Sequence, residues 1–128
     1  MCTAQALLAN MTALYGIWHR ASGLTKIAQR LKFRSQVLMN ALTELGFEVI
    51  TDRENFFDTV AIDCKKSGIS SADYLVSEFE EHGINLCKID NNIVSLSFNE
   101  TTNIQDLTDL IEIFATLSDN SIELGSYI

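Results

Sequence analysis

Cys2, Cys64, Cys87, His19 and His82 are the side chains of this 128-residue sequence with nucleophilic or ligating chemistry, and their spacing decides how much of it is open to the chain. No CxxC pair occurs, and no pair of His, Cys, Asp or Glu residues at metal-site spacing has a second pair to close a site. The six glycines are scattered rather than gathered into a loop that would cradle a phosphate. Both histidines flank the ends of predicted helices, where an imidazole stands in solvent or complements the negative end of the dipole, and this disfavours a Cys-His nucleophile pair. Cys64 and Cys87 fall in or at the ends of predicted strands, where a free thiol is more often a small core side chain than a reagent. Cys2 differs, because at a helix N-terminus the positive end of the dipole lowers a thiol's pKa and makes it redox-sensitive, although packing is the simpler role.

Composition narrows the partners. Apolar residues make up 47% of the chain, with Trp18, seven Phe and no Pro, which suits one domain with a real core. Seventeen acidic residues against nine basic ones give a net charge of -8, which argues against a nucleic-acid backbone or an anionic membrane as the main partner. No apolar run approaches the roughly 20 residues that cross a bilayer. The odd cysteine count and the lack of a cationic, cleavable leader favour a reducing compartment, a bacterial cytoplasm most simply, or the mitochondrial matrix in a eukaryote. Charge is uneven: residues 1–46 carry Arg20, Lys26, Arg30, Lys32 and Arg34 against Glu44 alone, about +4, and residues 47–128 carry about -12. Either the two halves face each other, or the basic half faces something acidic, or the bases simply line a solvated helix face, the simplest of the three.

The elements that would position these groups follow from periodicity. Ala4, Leu7, Leu8, Met11, Leu14, Tyr15 and Trp18 have the spacing of an amphipathic helix, placed at about 3–20. Ser22-Gly23 interrupts the pattern, and Ile27, Leu31, Leu38, Ala41, Leu42 and Leu45 resume it as a second long helix that stops at Gly46. "FEVIT" (47–51) and "FFDTVAIDC" (56–64) read as antiparallel strands around the turn "DREN". A helix follows, with Ser71 as N-cap and Gly83 as stop. "INLCKI" (84–89) and "IVSLSF" (93–98) make a second hairpin across "DNN". Asn103 and Asp106 stand at capping-box separation before a last helix through Ile104, Leu107, Leu110, Ile111 and Phe114, and the tail after Ser118 is polar. The order predicts an α+β fold: two long N-terminal helices, then a small, mostly antiparallel sheet with helices on one face. The division expected is 1–46 connecting helices, 47–118 small domain and 119–128 tail.

In chain order, "CTAQALLANMTALYGIWH", "GLTKIAQRL", "LTELGFEV", "FFDTVAI" and "INLCKIDNNIVSLSFNETTNIQDLTDLIEIF" closely resemble the glycine decarboxylase P-protein family of the glycine cleavage system, from Cys2 to about Glu123. The resemblance implies the closing part of that family's N-terminal half, namely the connecting helices and small domain that follow the large domain in pyridoxal-phosphate enzymes of the aspartate-aminotransferase fold type. Family members are glycine dehydrogenases, oxidoreductases that decarboxylate glycine and hand the aminomethyl group to the lipoyl arm of the H-protein. The helix at 3–20 would then lie against a large domain outside this chain.

The departures carry as much weight. A pyridoxal enzyme needs a Schiff-base lysine, an acidic partner for the ring nitrogen and a phosphate cup. The family's lysine lies in a histidine- and glycine-rich segment of the C-terminal half, and Lys26, Lys32, Lys65, Lys66 and Lys88 match no such motif. The resemblance therefore implies no catalytic, cofactor-binding or metal-binding residue here, no pyridoxal phosphate bound by this chain, and no decarboxylase activity from it alone. It implies that Cys2, Thr3 and Gln5, entering the first helix, are the residues nearest the neighbouring active site. The family's glycine-containing loop reads "WHRASGL" here. The partners implied are the remainder of the P-protein and, through it, the H-protein. A different class of function is a free-standing interaction module that dimerises through the helix at 3–20, since that helix would expose an apolar patch of several hundred Å². A small ligand-binding regulatory domain is weaker, because no polar cluster marks a site between the hairpins.

Overall fold

A computed structural model describes residues 5–118. Its first element, α1 (Ala6–Glu44), is a helix broken at Arg20, whose φ of 57° and ψ of 176° lie outside the helical region. Residues 6–19 form one arm and residues 21–44 a second. The break therefore falls two residues before the expected Ser22-Gly23 interruption, and the helix runs on through both of those residues. Gly23 sits close to His19 instead: a Cβ there would stand 3.1 Å from the Cβ of His19, a contact tight enough that the imidazole would have to give by a few tenths of an ångström.

The second arm enters the core. Leu31, Val37, Leu38, Met39, Ala41, Leu42 and Leu45 are buried, and Gly46, at φ 89°, turns the chain sharply out of the helix. Four strands follow: β1 (Glu48–Val49), β2 (Thr59–Asp63), β3 (Cys87–Lys88) and β4 (Ile93–Ser97). They pair in the order β1-β2-β4-β3, and every pairing is antiparallel, so the sheet is wholly rather than mostly so. The register sets Val60 opposite Leu96 and Ile62 opposite Val94, which gathers the buried apolar residues on one face. Thr59, Ala61, Ser95 and Ser97 alternate onto the other. The two outer strands are much shorter than "FEVIT" and "INLCKI" suggest.

Two shorter helices cover the apolar face with α1. α2 (Ala72–Glu81) starts where the Ser71 side chain accepts from the Tyr74 N–H at 3.1 Å and ends before Gly83, at φ 74°. α3 (Ile104–Leu117) carries the expected capping box: Asn103 Oδ1 accepts from the Asp106 N–H at 3.2 Å, and Asp106 Oδ2 accepts from the Asn103 N–H at 2.7 Å. Phe79, Phe114 and Phe47 meet ring to ring at the centre, with centroids 4.7 and 5.1 Å apart. The expected α+β architecture is thus present, with the helices on one face. The tail after Ser118 lies outside the described residues.

Candidate functional site

The first arm of α1 is the part of the chain that its own fold does not use. Leu7, Leu8, Met11, Leu14, Ile17 and Trp18 are each more than half exposed, Trp18 at 83%, although their spacing makes an apolar face that would normally be covered. Burying a side chain of this kind stabilises by roughly 1.5–3 kcal/mol. An uncovered row of six forgoes most of that. Among the described residues the arm reaches the body through one side-chain hydrogen bond, from Tyr15 Oη to Glu100 Oε1 at 3.4 Å, and Tyr15 also packs on His19 with ring centroids 4.3 Å apart. Partial desolvation, then the charge of Glu100, raises the Tyr15 hydroxyl above its ordinary pKa.

The loop that receives Tyr15 is built by the word "NETT". Asn99 Oδ1 accepts from the Thr101 N–H at 2.9 Å and the Thr102 N–H at 3.1 Å, a turn that its own side chain closes before Asn103 caps α3. "FFDT" is built in the same manner. Thr59 Oγ1 donates to Asp58 Oδ1 at 2.9 Å, the Asp58 carbonyl accepts from the Phe98 N–H at 3.0 Å, and the Lys32 ammonium lies 5.0 Å from the centroid of the Phe56 ring. These words hold loops in place. Arg53 ties the loop before β2 to α1 through Asn40 Oδ1 at 3.0 Å and Thr43 Oγ1 at 2.7 Å.

A groove of about 780 Å³ lies between α3, the end of α2, the residues that follow it and the end of β4. Its floor is apolar, with Leu86, Leu96, Phe98, Leu110 and Ile113, and its rim carries Glu78, Asp106, Asp109 and Glu112. No lysine or arginine lines it. Sequence reasoning missed this groove, although Asp106, Asp109 and Glu112 recur every third residue along α3 and so share a stripe beside its buried face.

The residues singled out by sequence are not brought together. Cys2 and Thr3 lie outside the described residues. Gln5 is exposed at the start of α1, where its carbonyl accepts from the Ala9 N–H at 2.9 Å and its side chain makes no capping bond. Cys64 is fully buried, as expected of a core thiol, and burial followed by the charge of Asp63 raises its pKa. Cys87 departs from that expectation. It is exposed on edge strand β3 opposite Ser95, on the face that the helices leave bare. His82 Nδ1 lies 2.9 Å from the Glu78 carbonyl at the end of α2. No group of three His, Cys, Asp or Glu side chains among the described residues is placed to hold a metal.

Among the described residues, no base of residues 1–46 is ion-paired with the acidic half. Among the described residues the ion pairs are Lys88–Asp73 at 2.7 Å and Lys66–Asp63 at 3.7 Å, and neither involves Arg20, Lys26, Arg30, Lys32 or Arg34. The lysines are also dispersed: Lys26 and Lys32 on α1, Lys65 and Lys66 after β2, and Lys88 on β3. A pyridoxal phosphate would need one of them beside a phosphate cup. The groove instead presents carboxylates and no cation, and the described residues do not fit that cofactor.

Comparison with known proteins bears on the family. The family profile described as glycine cleavage system P-protein matches residues 1–114. Mitochondrial glycine dehydrogenase (decarboxylating) of Solanum tuberosum is 40% identical over 115 residues, 90% of this chain and 10% of that protein. Glycine dehydrogenase (decarboxylating) of Saccharophagus degradans is 35% identical over 117 residues, 90% of this chain and 11% of that one. The chain thus spans about a tenth of the length of the curated relatives it matches. Relatives from eukaryotes are named mitochondrial and the bacterial one is not, and no helix among the described residues is long and apolar enough to cross a membrane. Among solved structures, a NifS-like protein superposes with a TM-score of 0.65 at 16% identity, over 77% of this chain and 30% of that one, a likeness of fold. An α+β sheet-and-helix layer with this profile match along nearly its whole length belongs to the glycine cleavage system P-protein family.

Proposed function

We propose that this chain is a non-catalytic structural and interface piece of a P-protein, whose whole form decarboxylates glycine with pyridoxal phosphate and passes the aminomethyl group to the lipoyl H-protein. The observation that carries the reading is the first arm of α1, a helix with an apolar face that covers nothing in a chain one tenth the length of its relatives. Residues 1–46 serve as connecting helices, 47–118 as the small domain and 119–128 as the tail. The remainder of the P-protein covers Leu7, Leu8, Met11, Leu14 and Trp18. Cys2, Thr3 and Gln5 stand nearest the neighbouring active site. The compartment is the cytoplasm in a bacterium and the matrix in a eukaryote.

Co-purification with a separately expressed remainder of a P-protein tests this. The expected result is a 1:1 complex that Leu14→Asp and Trp18→Asp each weaken at least tenfold. Pyridoxal phosphate and borohydride should leave the isolated chain unlabelled, and a single labelled lysine would sink the reading. A second reading rests on the same exposed face: an isolated chain dimerises by pairing or exchanging its first arms. Those two aspartate substitutions would then return it to monomer in the absence of any partner.

A further inference from the structure

Two surfaces outside the arm complement each other. Lys26, Arg30 and Phe33 recur at helical spacing on one exposed side of α1, where with Gln29 they border a shallow depression of about 480 Å³. Phe33 is 57% exposed there, and among the described residues neither base is in an ion pair. The groove beside α3 is the converse: an apolar floor of Leu86, Leu110 and Ile113 under a rim of Glu78, Asp109 and Glu112. The reach also agrees. Lys26 to Phe33 spans ~10 Å along its helix and Asp106 to Glu112 spans ~9 Å along α3, at 1.5 Å per residue.

Among the described residues the patch and the groove share no lining residue, so within one chain they do not meet. We infer that the groove beside α3 binds the Lys26–Arg30–Phe33 face of α1 from a second copy of this chain. Phe33 seats on the apolar floor, and Lys26 and Arg30 lie against Asp109 and Glu112. Charge complementarity selects this occupant. A copy's net charge of -8 opposes approach in general, yet its basic residues are concentrated on the helix that the acidic groove suits. Patch and groove are different surfaces, so the contact is heterologous: two copies either close a ring with two such contacts or extend into a row. This contact does not depend on the family reading, and it differs from an association of apolar arms in its response to salt.

Sedimentation velocity of the full chain at about 200 µM, in about 50 mM and 500 mM salt, tests the inference, since screening shortens from beyond ~10 Å to a few ångströms over that range. Association should weaken about tenfold at the higher salt. Lys26→Glu/Arg30→Glu and Asp109→Lys/Glu112→Lys, all at exposed positions, should each abolish it alone while leaving the circular dichroism spectrum unchanged. Mixing the two variants should restore a 1:1 pair, because one supplies an intact groove and the other an intact patch. A wild type that is monomeric at low salt overturns the inference, as does a mixture that fails to pair. Association that survives both charge reversals and rises with salt also overturns it, in favour of the apolar arms.

Discussion

The Cys64 thiol is enclosed by the core while the Cys87 thiol stands on an edge strand, so the two part in reactivity. A thiol reagent followed by peptide mass analysis should modify Cys87 in the native chain and reach Cys64 only on unfolding. Equal rates at both positions would show that the sheet face is not as described. Burial, and then Asp63, lift the Cys64 pKa above its ordinary 9.0. The folded chain therefore holds this proton more tightly than the unfolded one. Its contribution to stability is complete below about pH 9 and is lost as pH rises from there through the folded value. A Cys64→Ala variant should show a shallower fall in urea midpoint between pH 8.5 and 10, and an unchanged slope would count against the buried thiol. Asp52 has the opposite sign. The Asn55 side chain and then the Glu54 N–H bind its carboxylate and lower its pKa, so its small contribution holds above the ordinary 3.8 and fades as pH falls below it.

Arg20 makes the kink in α1 with a left-handed φ of 57° and an extended ψ of 176°, a region that costs a side chain about 1–3 kcal/mol and glycine almost nothing. Arg20→Gly should thus raise stability by about 1 kcal/mol, read as a higher urea midpoint at unchanged slope. A lower midpoint would mean that the two arms run straight. The caps make a companion prediction: Asn103→Ala removes the side-chain half of the α3 box, leaving the bond from the residue-103 N–H to Asp106, and should cost about 1 kcal/mol. What the sequence made legible divides along the same lines. The Ser71 cap, the Asn103–Asp106 box and the stops at Gly46 and Gly83 were readable because each is a local bond or a local φ that one residue type satisfies. The kink was not, because arginine carries no preference for that conformation, and Gly23, read as a break, lies inside the helix close against His19. Alternation in "FEVIT" and "INLCKI" marked strands but not their ends, which depend on how far a neighbour reaches. The groove was invisible for a similar reason. Its rim is drawn from α2 and α3, which only the fold sets side by side.

For the whole molecule, stability is unevenly distributed. Residues 35–42 of α1, β2 and β4 share one core, whereas residues 6–19 contribute no buried side chain. Hydrogen exchange on the monomeric chain should release the amides of the first arm at least a hundredfold faster than those of β2 and β4, and equal protection would show that the arm is covered after all. The edges of the sheet bear on a different property. β1 and β3 are two residues long, and both border a bare face of Thr59, Ala61, Ser95 and Ser97, so neither rim offers an extended template on which a further strand could add. A chain with an uncovered helix would be expected to precipitate as fibrils if its strands were also free to recruit. Here the adhesive surface is helical and the strands are closed to growth. Assemblies of this chain should therefore dissolve on dilution and leave thioflavin dark, a reversibility set by the two shortest elements in the fold.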